Sequence, residues 1–193
     1  YFILGTAYPG IVSVVVASFN ALVIVHAFLA MRKFPANYQQ YRTFIGHRKL
    51  MAHEDTTLWW VQALTGFLLF FLAAVHLYQM LMHPGDIGPY QSGERIWSGG
   101  WGPLYIIMLL AVEFHGGIGL YRLAVKWGWF EGKDPNASRK RLKTLKWVLT
   151  AFFLALGVAT FVAYAKIGYQ SRDQKGAVYT PPWVVPNPME KAK

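Results

Sequence analysis

Four apolar runs, at about 10–31, 58–82, 103–125 and 145–165, dominate this chain of 193 residues. Each reaches the roughly 20 residues that a helix needs to cross about 30 Å of hydrocarbon. In a bilayer the backbone must satisfy its own polar groups, so runs of this length fold as helices. A β-barrel would show short alternating segments, and none are visible. The fold class is therefore all-α: a polytopic transmembrane helical bundle with four spans. Composition agrees, with 54% hydrophobic and only 15% charged residues, the charges clustered between the runs.

Three of the four runs hold a histidine: His26, His76 and His115. An unsatisfied imidazole in hydrocarbon is costly, so each needs a partner or a task. Their depths follow from the flanking residues. His26 lies about 9 Å from Arg32, and His115 about 10 Å from Arg122. His76 lies about 25 Å from Trp59 and about 10 Å from His83. If the basic ends share one side, His26 and His115 are level and His76 is near the opposite face. Two levels of buried histidine suggest two cofactors stacked across the bilayer.

The Lys/Arg bias sets orientation. Segment 32–57 carries Arg32, Lys33, Arg42, Arg48 and Lys49, and segment 126–146 carries seven basic residues. Between them, 83–102 has Arg95 alone, against Asp86 and Glu94. The basic loops 32–57 and 126–146 are expected on the cytoplasmic side and 83–102 outside. Lys166, Arg172 and Lys175 then fall outside, against the rule. The net charge of +10 reads mainly as topology, with some docking for acidic partner surfaces. The scattered basic residues form no nucleic-acid recognition motif, so nucleic acid is excluded as a partner.

The chain starts at Tyr1 with apolar residues and no basic leader, which suggests missing upstream sequence, including a further span. There is no cysteine, so this chain supplies no disulfide and no Cys-ligated zinc or iron–sulfur centre. We divide it into a bundle at 1–168 and an external tail at 169–193, whose 176–190 stretch is Pro-containing and extended. Segment 34–57 reads as an amphipathic interfacial helix or as a solvated connector with an aromatic belt. Asp55-Thr56-Thr57 is the expected cap of the following span, with Trp59-Trp60 at the interface.

Neutral imidazole is a strong ligand for haem iron, and facing helices can supply two of them. Small residues accompany each histidine. Ala111 and Gly119 flank His115 at i−4 and i+4, Ala30 follows His26, and Ala73 precedes His76. They would let a porphyrin edge approach the backbone; equally, they would permit tight helix packing, with each histidine hydrogen-bonded to a neighbour. Glu113 is the one acidic residue within the four runs. Two residues from His115, it projects about 200° away, so it is a poor partner for that imidazole. Its alternatives are a packing hydrogen bond in protonated form or a proton relay between the two cofactor levels.

Several runs carry a family resemblance: His26-Ala27-Phe28-Leu29-Ala30-Met31-Arg32-Lys33-Phe34-Pro35, Asp55-Thr56-Thr57-Leu58-Trp59-Trp60, Val112-Glu113-Phe114-His115-Gly116 and Gly119 to Phe130. The chain resembles, nearly end to end, the dihaem cytochrome b subunits of bacterial menaquinol:fumarate reductases, relatives of succinate:quinone oxidoreductases. The resemblance implies five membrane helices and four haem-ligating histidines. His26 and His115 would bind the proximal haem b iron and His76 the distal one. The family's first helix, with the other distal ligand, has no counterpart in this chain, which we read as truncation or unassigned sequence.

The resemblance further implies a menaquinol-oxidising subunit of anaerobic respiration in the bacterial cytoplasmic membrane. Electrons would pass through both haems to an iron–sulfur subunit and then to a flavoprotein subunit with FAD, where fumarate becomes succinate. The assembly would be a dimer of heterotrimers in lipid. Glu113 would move protons, and Trp59 and Lys126 would contact the proximal haem propionates. Two other classes fit the residues: the cytochrome b of a hydrogenase or formate dehydrogenase, and a haem-free transporter. Dicarboxylate activity on a partner flavoprotein separates the first, and a reduced-minus-oxidised spectrum the second.

Overall fold

The computed structural model describes residues 9–174, and its regular structure there is helical throughout. Six α-helices follow in order: α1 (Pro9–Met31), α2 (Tyr38–Met51), α3 (Glu54–Met82), α4 (Pro89–Trp97), α5 (Gly102–Lys126) and α6 (Pro135–Gln170). A single 3-10 turn, Pro84–Asp86, precedes α4. Among the described residues, α1, α3, α5 and α6 are long and apolar enough to cross a membrane. The expectations placed on Tyr1, Lys175 and the stretch 176–190 lie outside the described residues.

The helix starts correct the sequence reading. The span beginning at 58 starts four residues earlier, because His53 and not Asp55 caps it: His53 Nδ1 accepts the Asp55 N–H at 3.2 Å. Glu54 and Asp55 then sit in the first turn, where carboxylates complement the helix dipole. The last span begins ten residues before its apolar run. Asp134 caps α6 by accepting from the Asn136 and Ala137 amides at 2.9 and 3.3 Å, and Pro135 is pre-set for the first helical position. Most of the basic segment 126–146 is thus helical, and the true loop is confined to 127–134. With 36 residues, α6 is about 54 Å long and outruns the hydrocarbon.

Segment 34–57 contains a helix, α2. Asn37 caps α2 through its side-chain oxygen, 2.9 Å from the Gln40 amide, and Ala52 ends it in the left-handed conformation at φ 43°. Its aromatic residues turn toward α3: Phe44 lies 4.5 Å from the Trp59 ring and 5.5 Å from the Trp60 ring, and Tyr41 packs 6.0 Å from Trp60.

α5 packs between α3 and α6, and α1 leans on α3. The small core holds Leu58, Ile118 and Tyr121, flanked by Val61, Phe114, Val125 and Leu142. Most large apolar side chains point outward instead, such as Leu22 at 68% and Leu120 at 62% exposure, as lipid-facing helices require. At the other end, α4 lies across α6 at a crossing of two glycines. A Cβ on Gly93 would fall 2.7 Å from the Gly168 nitrogen and 2.9 Å from the Tyr164 carbonyl oxygen, so the backbones themselves touch.

Candidate functional site: a histidine pair inside the bundle

Periodicity places His26 on α1 and His115 on α5, and the fold brings them together. Their ring centroids are 6.1 Å apart with planes at 89°. Two imidazoles that share one metal, each with a bond of about 2 Å, have centroids about 6 Å apart. Perpendicular planes are compatible with that arrangement. His115 Nδ1 sits 2.9 Å from the backbone carbonyl of Gln62 on α3. A carbonyl only accepts, so Nδ1 carries the proton and Nε2 keeps its lone pair. That is the tautomer metal-ligating histidines adopt, with the other ring nitrogen anchored to a carbonyl. The described residues hold no converging group of three or more His, Asp or Glu side chains. Two imidazoles suffice where a porphyrin provides the remaining coordination. The pair fits a haem.

His76 is kept apart from this pair. It lies ten residues beyond Gly66 on α3, and Gly66 is the residue against which His115 rests. The separation along the helix is therefore about 15 Å. The His76 ring meets Tyr105 edge-on at 5.4 Å, and its Nδ1 is buried without a hydrogen-bond partner. An orphaned ring nitrogen at membrane depth is costly unless a further group engages the ring.

The remaining candidates occupy separate places. Glu113 is half-buried on α5 and forms no side-chain hydrogen bond among the described residues, so the packing bond considered for it is not made within them. It shares a stripe, at four-residue steps, with Leu109, which abuts Gly157, and Gly117, which abuts Thr150; both neighbours belong to α6. Trp59 packs on Phe44 and Trp60 near the basic end of α3. Lys126 is exposed, its ammonium 5.4 Å from the ring centre of Trp127.

Sequence reasoning missed several polar residues around these histidines. Gln62 and Gly66 cradle His115, and Arg122 donates to the Gln62 side-chain oxygen at 2.7 Å. At the basic end, α5 and α6 converge on Asp55 of α3. Tyr121 donates to it at 2.9 Å, Lys143 lies 3.3 Å away while also bridging Glu54 at 2.7 Å, and Arg139 lies 3.6 Å away. Lys146, only 4% exposed, places its ammonium 3.6 Å from the Trp147 ring centre and 5.9 Å from that of Tyr121. The available signal was polarity within or beside an apolar run, but nothing in the local pattern paired these residues.

Residues 38–158 match the family model described as Succinate dehydrogenase/Fumarate reductase transmembrane subunit. The chain is 55% identical over 165 residues to the fumarate reductase cytochrome b subunit of Wolinella succinogenes, covering 86% of this chain and 64% of that protein. Against the fumarate reductase cytochrome b subunits of two Helicobacter pylori strains the identities are 52% and 51%, covering 86% of this chain and 63% of each relative. The chain thus spans a little under two thirds of the length of these curated relatives.

Proposed function

Because this chain belongs to the succinate dehydrogenase/fumarate reductase transmembrane subunit family, we propose that it is the dihaem cytochrome b subunit of a menaquinol:fumarate reductase or succinate dehydrogenase complex. The observation that carries this reading is the His26–His115 pair, perpendicular at 6.1 Å, with His115 Nδ1 tied to a carbonyl. When bound, two b haems supply one-electron redox centres at two depths of the bilayer.

This chain's own residues bind and orient. His26 and His115 hold the proximal haem from α1 and α5, and His76 is one ligand of the distal haem. Gln62 presents a carbonyl that fixes the His115 proton. Trp59 and Lys126, near the basic ends of α3 and α5, offer an indole N–H and an ammonium to the proximal propionates. Glu113, between the two levels, takes up and releases a proton as charge crosses the bilayer. The apolar outer faces exclude water from this region and seat the bundle in lipid.

Membership of this family supports the following assignment of partners. The basic ends, including 32–57 and 126–146, face the cytoplasm and dock an iron–sulfur subunit. A flavoprotein subunit with FAD carries the dicarboxylate chemistry, and two heterotrimers form the complete assembly. Menaquinol is the quinone substrate. The bundle extends at least to the end of the last described helix at Gln170, two residues past the boundary at 168. The host membrane is the bacterial cytoplasmic membrane.

A reduced-minus-oxidised spectrum with a redox titration of the assembled complex tests the proposal. Two b-type components with separate midpoint potentials, coupled to fumarate reduction by a menaquinol analogue, are expected. A complex without b-type absorbance refutes it, and haem without dicarboxylate activity on the partner flavoprotein points to another membrane oxidoreductase.

A further inference from the structure

We propose that Gly66, Gln62 and Arg122 form a seat for the His115 imidazole that sets its orientation and, through it, the reduction potential of the haem it holds. The proposal rests on the assignment of His26 and His115 as iron ligands.

The seat has three parts. The first is a notch. A Cβ on Gly66 would fall 2.7 Å from Cε1 and 3.0 Å from Nδ1 of His115, so only glycine lets the ring lie against α3. The second is an acceptor one turn earlier. The Gln62 carbonyl takes the Nδ1 proton at 2.9 Å and is also approached by the Thr65 hydroxyl at 3.1 Å. The third is a latch. Arg122, seven residues from His115 on α5, donates to Gln62 Oε1 at 2.7 Å. The Gln62 amide nitrogen meanwhile lies 3.0 Å from where a Cβ on Gly119 would stand, so that glycine admits it.

α3 and α5 are therefore pinned twice, two turns apart on α5. One pin is the ring nitrogen on the backbone of Gln62, and the other is the guanidinium on its side chain. Rotation of the imidazole about its own axis would break the first pin, and sliding of α3 against α5 would break the second. The plane of the His115 ring, 89° from that of His26 here, is thus held by the seat and not by His115 alone. Arg122 adds a fixed positive charge about 10 Å along the helix from His115. In a low-dielectric interior such a charge disfavours the oxidised, more positive iron. Gly66 and Arg122 are positioning residues that act through His115 and Gln62, and Arg122 acts in addition through its charge.

The test uses the assembled complex in membranes, with redox titration and low-temperature electron paramagnetic resonance of each haem. Arg122→Gln keeps polarity but loses the charge. It is expected to shift the proximal ferric-to-ferrous ratio about tenfold toward ferric at fixed ambient potential, about 59 mV for one electron. The distal haem should be unmoved. Arg122→Lys, which restores charge and a donor, should return the potential most of the way. Gly66→Ala should alter the low-spin ferric signal of the same haem, since the ring must turn or withdraw; if that variant fails to assemble, the Arg122 pair decides alone. Loss of the proximal haem alone in Arg122→Gln also supports the seat. An unchanged proximal potential and spectrum in Arg122→Gln, with haem retained, overturns it. The parent assignment is checked separately by His115→Ala: retention of both haems there refutes the ligand assignment.

Discussion

Replacing Gly93 by alanine should separate two helices that now meet backbone to backbone. The added methyl would stand 2.7 Å from the Gly168 nitrogen and 2.9 Å from the Tyr164 carbonyl oxygen. Comfortable contact for such atoms starts near 3.5 Å, so α4 must retreat from α6 by about 0.8 Å. A gap of that size forfeits a quarter to a half of each dispersion contact along the crossing. Overpacking of this kind costs about 1–3 kcal/mol, and the better helix propensity of alanine returns at most about 1 kcal/mol. The net expectation is a loss of about 1–2 kcal/mol. Trp97, whose ring lies 5.1 Å from that of Tyr169 across the same crossing, is a local reporter. Equilibrium denaturant titration of the purified complex, followed by tryptophan fluorescence, measures the change. Gly46→Ala is the control, because a Cβ there meets nothing within 4 Å and should be neutral or slightly stabilising. If Gly93→Ala stays within about 0.5 kcal/mol of the parent, the helices do not cross at backbone contact and the packing argument fails.

Two further substitutions probe the bundle. Glu113→Gln keeps shape and hydrogen bonding but cannot ionise. It should retain haem and assembly and suppress menaquinol-linked turnover, while fumarate reduction by an artificial donor to the partner subunits continues. Full menaquinol-linked activity in the assembled variant would refute the proton relay. Tyr121→Phe removes the 2.9 Å bond to Asp55 and leaves its ion pairs with Lys143 and Arg139. The expected cost is about 1 kcal/mol by the same titration, and no change would mean water replaces the hydroxyl without loss.

The four spans were legible because hydrophobic length alone decides them, and α1 and α5 begin and end close to their apolar runs. The starts of α3 and α6 were not, since hydropathy is blind to helix made of charged residues. His53 and Asp134 place those starts through caps that a sequence offers several times over. α4 escaped notice for another reason: Pro89 and Gly93 mark so short a stretch as a turn despite its amphipathic pattern, and the helix is held by Gly168, distant in sequence. The histidines were conspicuous as polar groups in apolar runs. Their surroundings were not, because Gln62 and Gly66 reach His115 only once α3 and α5 are packed. Local pattern carries which residues are unusual; which of them meet is a property of the packing.

The central claim is that His26 and His115 share one haem and that His76 belongs to another. Haem per complex should be counted by the pyridine haemochrome method in the parent and in His26→Ala, His115→Ala and His76→Ala, with redox titration to identify what is lost. His26→Ala and His115→Ala should each lose or severely disturb the same component, and His76→Ala the other. Both components intact in His115→Ala, or different components lost from His26→Ala and His115→Ala, would contradict the account.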